Sequence, residues 1–291
     1  MTLVASCELR VARKRKRRSP VPIPYSLLPK PYCLLPTAYC LTTMFNQVPL
    51  TDSLTNFFAS GWPPFIWHDP VMQEAWSKWF HFFPEFQCAM RTDDGKLAAT
   101  VHAVPLKWTA PFEMLPDGME MYESGWDWVI EQSIEDYLYG RQPNVLSAAA
   151  IVVAPEMQGQ GLAGEAVKHL KYLAKKHGFK ALIAPLRPSE KRFFRDMDIK
   201  EYIAMRKPGT DLPFDPWIRL HVKLGARILK PCLESIIISE SLDTWTQWTG
   251  VTFEQSGLYP IPGGDEPLVV DVEENQGDYS ASGVWVVHEI E

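Results

Sequence analysis

The sequence predicts an α/β fold in which helices flank a mixed central sheet, and three consecutive stretches carry that expectation. Val145 to Val153 is apolar apart from Ser147, too continuous a run to face water on either side, so it reads as a central strand covered on both faces. From Gly161 to His177 the residues Ala163, Ala166, Val167, Leu170, Leu173 and Ala174 form one apolar stripe, with Glu165, Lys168, Lys171 and Lys175 opposite it. Ala181 to Ala184 follows as a short buried strand. The three make a β-α-β unit with glycines at the front of its helix.

The other elements follow in chain order. Residues 1–43 hold the basic run Arg13 to Arg18 and a proline-bounded repeat, PYSLLPK from Pro24, PYCLLPT from Pro31 and AYCL from Ala38. Prolines at that density exclude helix and sheet, and the composition fits a disordered tail or translated upstream DNA ahead of Met44. Deleting this segment is expected to leave the folded part intact. Asp69-Pro70 supplies a cap and a first-turn proline for a helix whose apolar face is Val71, Met72, Ala75, Trp76, Trp79 and Phe80. Phe86 to Arg91 and Leu97 to Val104 flank Asp93-Asp94-Gly95 as a hairpin. Ser124 is expected to cap a helix running to about Leu138 and stopped by Gly140. Phe214-Asp215-Pro216 begins a helix that Gly225 ends, and Arg227 to Leu229 is a strand. A helix with Trp245 and Trp248 follows, then the strands Leu268 to Val272 and Val284 to Val287.

Composition narrows the class. The chain has 291 residues, 46% of them hydrophobic, and can bury a substantial core. Its net charge of −6 conceals an N-terminal segment of about +7 against a body near −13. Such an acidic body is a poor nucleic-acid binder, so no nucleic-acid partner is expected. No apolar run reaches the ~18 residues of a membrane span and no leader peptide is recognisable, so no membrane partner is expected and a cytoplasmic location is. Three of the five cysteines fall in residues 1–43, leaving Cys88 and Cys232, with neither metal spacing nor a disulfide framework. No metal is expected, and nothing in the sequence fixes the oligomeric state.

The chemistry concentrates between the central strand and its helix, in Gln158-Gly159-Gln160-Gly161-Leu162-Ala163-Gly164. Glycines let a ligand approach the backbone, and N–H groups at a helix start lack intrahelical acceptors, so the turn suits phosphate oxygens. Gly159, Gly161 and Gly164 also satisfy the G-x-G-x-x-G pattern of dinucleotide binders. In that fold the first glycine follows the strand almost directly. Here Ala154 to Gln158 intervene, Pro155 has no N–H to donate, and Arg187 rather than an acid follows the next strand.

Val153-Ala154-Pro155 followed by Gln158-Gly159-Gln160-Gly161-Leu162-Ala163 resembles the central motif of the GNAT (Gcn5-related N-acetyltransferase) superfamily, V-x-P then Q/R-x-x-G-x-G/A. The segment Trp217 to Ala226 is similar to the family's second helix and its closing Y-x-K-x-G-F, with His221 in place of tyrosine and Ala226 in place of the aromatic residue. Pro213 to Trp217, Trp248 to Gly250 and Val284-Trp285 resemble stretches of a group of bacterial GNAT-like proteins. The resemblance implies a GNAT-type sheet at 44–240, an added β-containing segment at 241–291 packed on the same domain, and insertions at 109–140 and 187–213.

It also implies an acyltransferase that moves an acyl group from acetyl-CoA or another acyl-CoA to an amine of a small molecule or peptide. On this resemblance Gln158 to Gly164 hold the CoA pyrophosphate, and Ile151, Val152 and Val153 bond the pantetheine arm. A backbone N–H near Val153 stabilises the carbonyl oxygen, and His221 protonates the departing thiolate. Acceptor contacts are expected from Arg187 and Glu123, the latter beside Glu113 and Glu120. Ser189, Glu190 and Lys191 follow Arg187 in the same loop, and Trp245 with Trp248 offers apolar lining or core. The central strand carries Ser147 and alanines where some family members have a glutamate base. That departure leaves open a module that binds acyl-CoA without turnover, or that performs other thioester chemistry.

Overall fold

A computed structural model of the chain describes residues 45–112 and 124–291. The basic run, the proline repeat, Glu113, Glu120 and Glu123 lie outside the described residues.

A short strand β1 (Asn46–Gln47) precedes α1 (Asp52–Ser60), which Thr51 caps by accepting from Leu54 N–H at 3.2 Å. In α2 (Pro70–Phe82) Asp69 accepts from Met72 N–H at 2.7 Å, and Val71, Met72, Ala75, Trp76 and Trp79 are buried, as the spacing requires. The hairpin forms as β2 (Gln87–Arg91) and β3 (Leu97–Leu106). The N-cap position of α3 (Trp126–Leu138) is Gly125 rather than Ser124, and the first N–H, of Trp126, donates to Ser235 Oγ at 3.0 Å. The β-α-β unit is β4 (Val145–Val153), α4 (Leu162–Lys176) and β5 (Ala181–Leu186). Within the 187–213 insertion lie a 3-10 turn at Lys191–Phe193 and one short α-helix, α5 (Ile199–Ala204).

In α6 (Pro216–Lys223) the Asp215 carboxylate accepts from Trp217 and Ile218 N–H at 2.9 and 3.1 Å. The strand read at Arg227 to Leu229 is the start of a 15-residue β6 (Arg227–Ser241), followed by α7 (Leu242–Thr249), β7 (Gly257–Tyr259), β8 (Leu268–Asp271) and β9 (Gln276–Glu289).

Neighbouring strands are antiparallel except β4 and β5, which run parallel. The order runs β1-β2-β3-β4-β5-β9, with β6 along the other edge of β9 and β8 beyond the end of β5. This changes the expected status of residues 241–291. They are not an addition to a finished sheet: β9 lies between β5 and β6, pairing Ala181↔Glu289 to Leu186↔Val284 on one side and Arg227↔Val287 to Ser241↔Gln276 on the other. Trp285 of β9 is fully buried and donates its indole N–H to Ser124 O at 2.9 Å. Among the described residues no helix is long and apolar enough to cross a membrane.

Candidate active site

The parallel pair at the centre of the sheet is hydrogen-bonded over a short distance. β4 and β5 are paired at Leu146↔Leu182 and Ser147↔Ile183, and beyond that point they separate into a fork. At the same level β4 slips against β3: His102 faces Ala150 while Ala103 faces Ala148, which leaves Ala149 as the extra residue of a bulge. The Ala149 carbonyl accepts from the Trp126 indole at 2.7 Å, so α3 is anchored where the fork opens.

Past the bulge the polarity of β4 is settled by one bond. Ala154 N–H donates to Ala98 O at 2.9 Å, and Val152 pairs with Thr100 on the same edge. Because successive residues of a strand turn their peptide groups to opposite edges, those of Ile151 and Val153 face the side from which β5 has departed. The Gln158 amide folds back and donates to Val153 O at 3.4 Å.

The turn that follows is built to present donors. Gly159 and Gly161 have φ of +76° and +85°, a region costly for any residue with a Cβ, and Gly161 is the residue from which α4 departs. None of the backbone N–H groups of Gly159, Gln160, Gly161, Leu162 and Ala163 has a partner among the described residues. They stand at the positive end of a 15-residue helix whose last turn carries Lys175 and Lys176. A Cβ at Gly159 or Gly161 would meet nothing within 4 Å, so the approach to these donors is open.

The residues expected to bind the pyrophosphate therefore divide. Gln158 braces the turn. Gly164 spends its N–H on Gly161 O at 2.9 Å, and its Cα faces Leu220 of α6, whose Cδ1 would lie 3.6 Å from an added Cβ. Gly164 is thus a helix-packing position.

The other expected contacts are occupied. Arg187, 23% exposed, forms an ion pair with Asp265 at 2.7 Å and donates to Gly263 O at 2.9 Å, which ties the end of β5 to the loop before β8. Lys191 is fully buried, donates to Phe194, Arg195 and Asp265 carbonyls, and pairs with Glu266 at 3.1 Å. Glu190 N–H and Ser189 Oγ donate to the Asp215 carboxylate. Arg187 and its neighbours hold loops together rather than standing free for an acceptor. Trp245 is core, donating to Gly277 O at 2.9 Å, while Trp248 is stacked on His68.

His221 departs furthest from its expected role. Its ring is fully buried, its Nδ1 lies 3.0 Å from Nε2 of His288, and His288 pairs with Leu182, at the closed base of the fork. Burial, reinforced by His288, holds its pKa down to about 3, so at neutral pH the ring is neutral and lacks the acidic proton of an imidazolium. The helix end favours a charged imidazole, and desolvation outweighs it. The α6 residue that sequence reasoning passed over is Trp217, one turn earlier and half-buried. Its proximity to the Asp-Pro cap was visible, but its neighbours were not.

Comparison with known proteins agrees with this architecture. The sequence profile of the Acetyltransferase (GNAT) family matches residues 51–197. The chain is 30% identical over 258 residues to the arginine N-acetyltransferase avaD of Aspergillus versicolor, covering 80% of this chain and 86% of that one. Among solved structures it resembles the loading GNATL domain of CurA from Lyngbya majuscula, with a TM-score of 0.54 and 16% identity over 84% of this chain and 96% of that one, a likeness of fold. The chain belongs to the acetyltransferase (GNAT) family, and is an acyltransferase that uses acetyl-CoA or another acyl-CoA.

Proposed function

We propose that this chain binds the CoA pyrophosphate on the N–H groups of Gly159 to Ala163, and the pantetheine arm along the peptide groups of Ile151 and Val153. The observation that carries the assignment is the run of five adjacent backbone donors at a helix start, immediately beyond a strand whose neighbour has moved away. Anionic oxygens are the ligands such a run suits, and an extended amide-containing arm suits an unpaired strand edge.

The arrangement supports direct transfer. A neutral amine attacks the thioester carbonyl, a C–N bond forms as the C–S bond breaks, and the amine loses a proton while the thiolate gains one. The N–H of Ile151 or Val153 is the donor for the carbonyl oxygen. With His221 neutral and buried, the thiolate takes its proton from water. The acceptor we propose is a small-molecule amine, and the relationship to an arginine N-acetyltransferase makes arginine the first to test. The compartment we propose is the cytoplasm.

The test is release of free CoA thiol from acetyl-CoA across a panel of amino acids, polyamines and arylalkylamines, with Gly161→Val as the control. Amine-dependent thiol release by the wild type and none by the control is expected. Binding of acetyl-CoA without turnover on any amine would favour a CoA-binding module instead.

A further inference from the structure

We infer that Trp217 is a contact for the pantetheine arm, with its indole packed along the arm and its Nε1–H donating to it; this rests on the CoA site proposed above. The apolar core divides at the fork. The larger cluster contains Leu146, Leu182 and Ile183, at the last β4–β5 pairs, whereas the smaller consists of Ala184, Leu186, Ile218, Val284 and Val286, on the part of β5 that has left β4 and on its neighbours. Two half-buried residues pack against both clusters: Ala148, just past the last pair on β4, and Trp217, in the first turn of α6. Ala148 is small, so Trp217 is the large side chain that bridges the two clusters.

Its position is fixed from two sides. The Asp215 carboxylate accepts from the Trp217 backbone N–H at 2.9 Å, and the His221 ring meets the indole at 90° with centroids 4.5 Å apart. His288 holds His221 in turn. The buried histidine pair is therefore a platform under the indole rather than a source of protons.

The indole N–H of Trp217 has no acceptor among the described residues. By contrast Trp76, Trp126, Trp245 and Trp285 each donate theirs to a protein oxygen. The indoles of Trp62, Trp67, Trp79, Trp108, Trp128 and Trp248 also lack an acceptor among the described residues, but none of them packs against the cluster beyond the fork. A half-buried indole needs an acceptor once a ligand displaces water from it, and the pantetheine arm carries two amide carbonyls.

The experiment is ¹⁹F NMR of the full chain labelled with 5-fluorotryptophan, the Trp217 resonance being identified by its loss in Trp217→Phe or, should that variant misfold, in Trp217→Tyr. Addition of CoA is expected to shift this resonance. Trp217→Phe, which keeps an aromatic ring but no N–H, is expected to weaken CoA about 3- to 10-fold, with kcat at saturating acetyl-CoA changed by no more than about twofold. If CoA binds and the resonance stays in place, this inference fails while the turn assignment stands. A moved resonance with unchanged CoA affinity in a folded Trp217→Phe would overturn the hydrogen bond. Failure of the wild type to bind CoA would remove both.

Discussion

Nδ1 of His221 lies 3.0 Å from Nε2 of His288, one buried ring donating to the other across the contact between α6 and β9. Burial depresses both, His221 to about 3 and His288 to about 4, with His288 and Lys171 respectively adding repulsion. His221→Phe is accordingly expected to keep kcat within about threefold of wild type. It should lose about 1–3 kcal/mol of stability, because His288 loses its partner in a buried site. Initial rates and urea denaturation measure the two effects. A hundredfold fall in kcat in a folded variant would restore the acid role.

The same burial sets the pH dependence of stability. His102 at about 3, His169 at about 4, His221 and His288 all have folded pKa values below the ordinary 6.5, chiefly through desolvation. Between those values and 6.5 the unfolded chain binds more protons than the folded one. The stability contributed by these histidines is therefore full above pH 6.5 and declines as pH falls through 6.5 toward 4, while the carboxyls of Glu85, Asp136 and Glu266, raised by desolvation, act in the opposite sense. The melting temperature should drop from pH 7 to pH 5, and less steeply in His221→Phe, which has lost one of these groups; His177, lowered in the same way, acts with them. A flat profile over that range would contradict the burial of these rings.

Asp215 joins three pieces of chain. Its oxygens accept from Trp217 and Ile218 N–H at the start of α6, from Tyr202 Oη at 2.9 Å on α5, and from Glu190 N–H at 3.0 Å beyond β5. Asp215→Ala removes a helix cap and leaves the buried Tyr202 hydroxyl without its acceptor, a combined cost of about 2–4 kcal/mol. Urea denaturation should show that loss, and CoA affinity should fall with it because Trp217 is released. A change below about 1 kcal/mol would mean that other contacts hold the insertion.

The last strand is indispensable. Truncation after Asn275 removes β9, leaving β5 and β6 without the strand that separates and joins them. The truncated chain is expected to give no cooperative melt. A cooperative transition within about 5 °C of wild type would show that the sheet closes without it.

How far the sequence could be read follows from how local each signal is. The β-α-β unit and α2 were legible because their apolar spacing, proline and cap sit in one continuous stretch. β6 was legible only at its start: Lys230, Pro231, Glu234 and Ser235 break the alternation, and the strand is irregular between Cys232 and Ile236. β9 was legible only at Val284 to Val287, because Gly277, Asp278, Ser280, Ser282 and Gly283 give its first half no apolar pattern. Its place between β5 and β6 depends on pairings about a hundred residues apart for β5, which no local pattern encodes.

Within the site, the donor turn was legible from its glycines. The ion pair of Arg187 was not legible because nothing in the loop after the strand points to Asp265 beside it. The burial of His221 was not legible because its partner lies 67 residues away.

The central claim, that acyl-CoA is held by the backbone of the β4–α4 turn, is tested most directly by the amide resonances of ¹⁵N-labelled protein titrated with acetyl-CoA. The largest shifts are expected at Gly159, Gln160, Gly161, Leu162 and Ala163, with Ile151 and Val153 following. Saturable binding of acetyl-CoA that leaves those seven amides in place and moves another group of residues would contradict it.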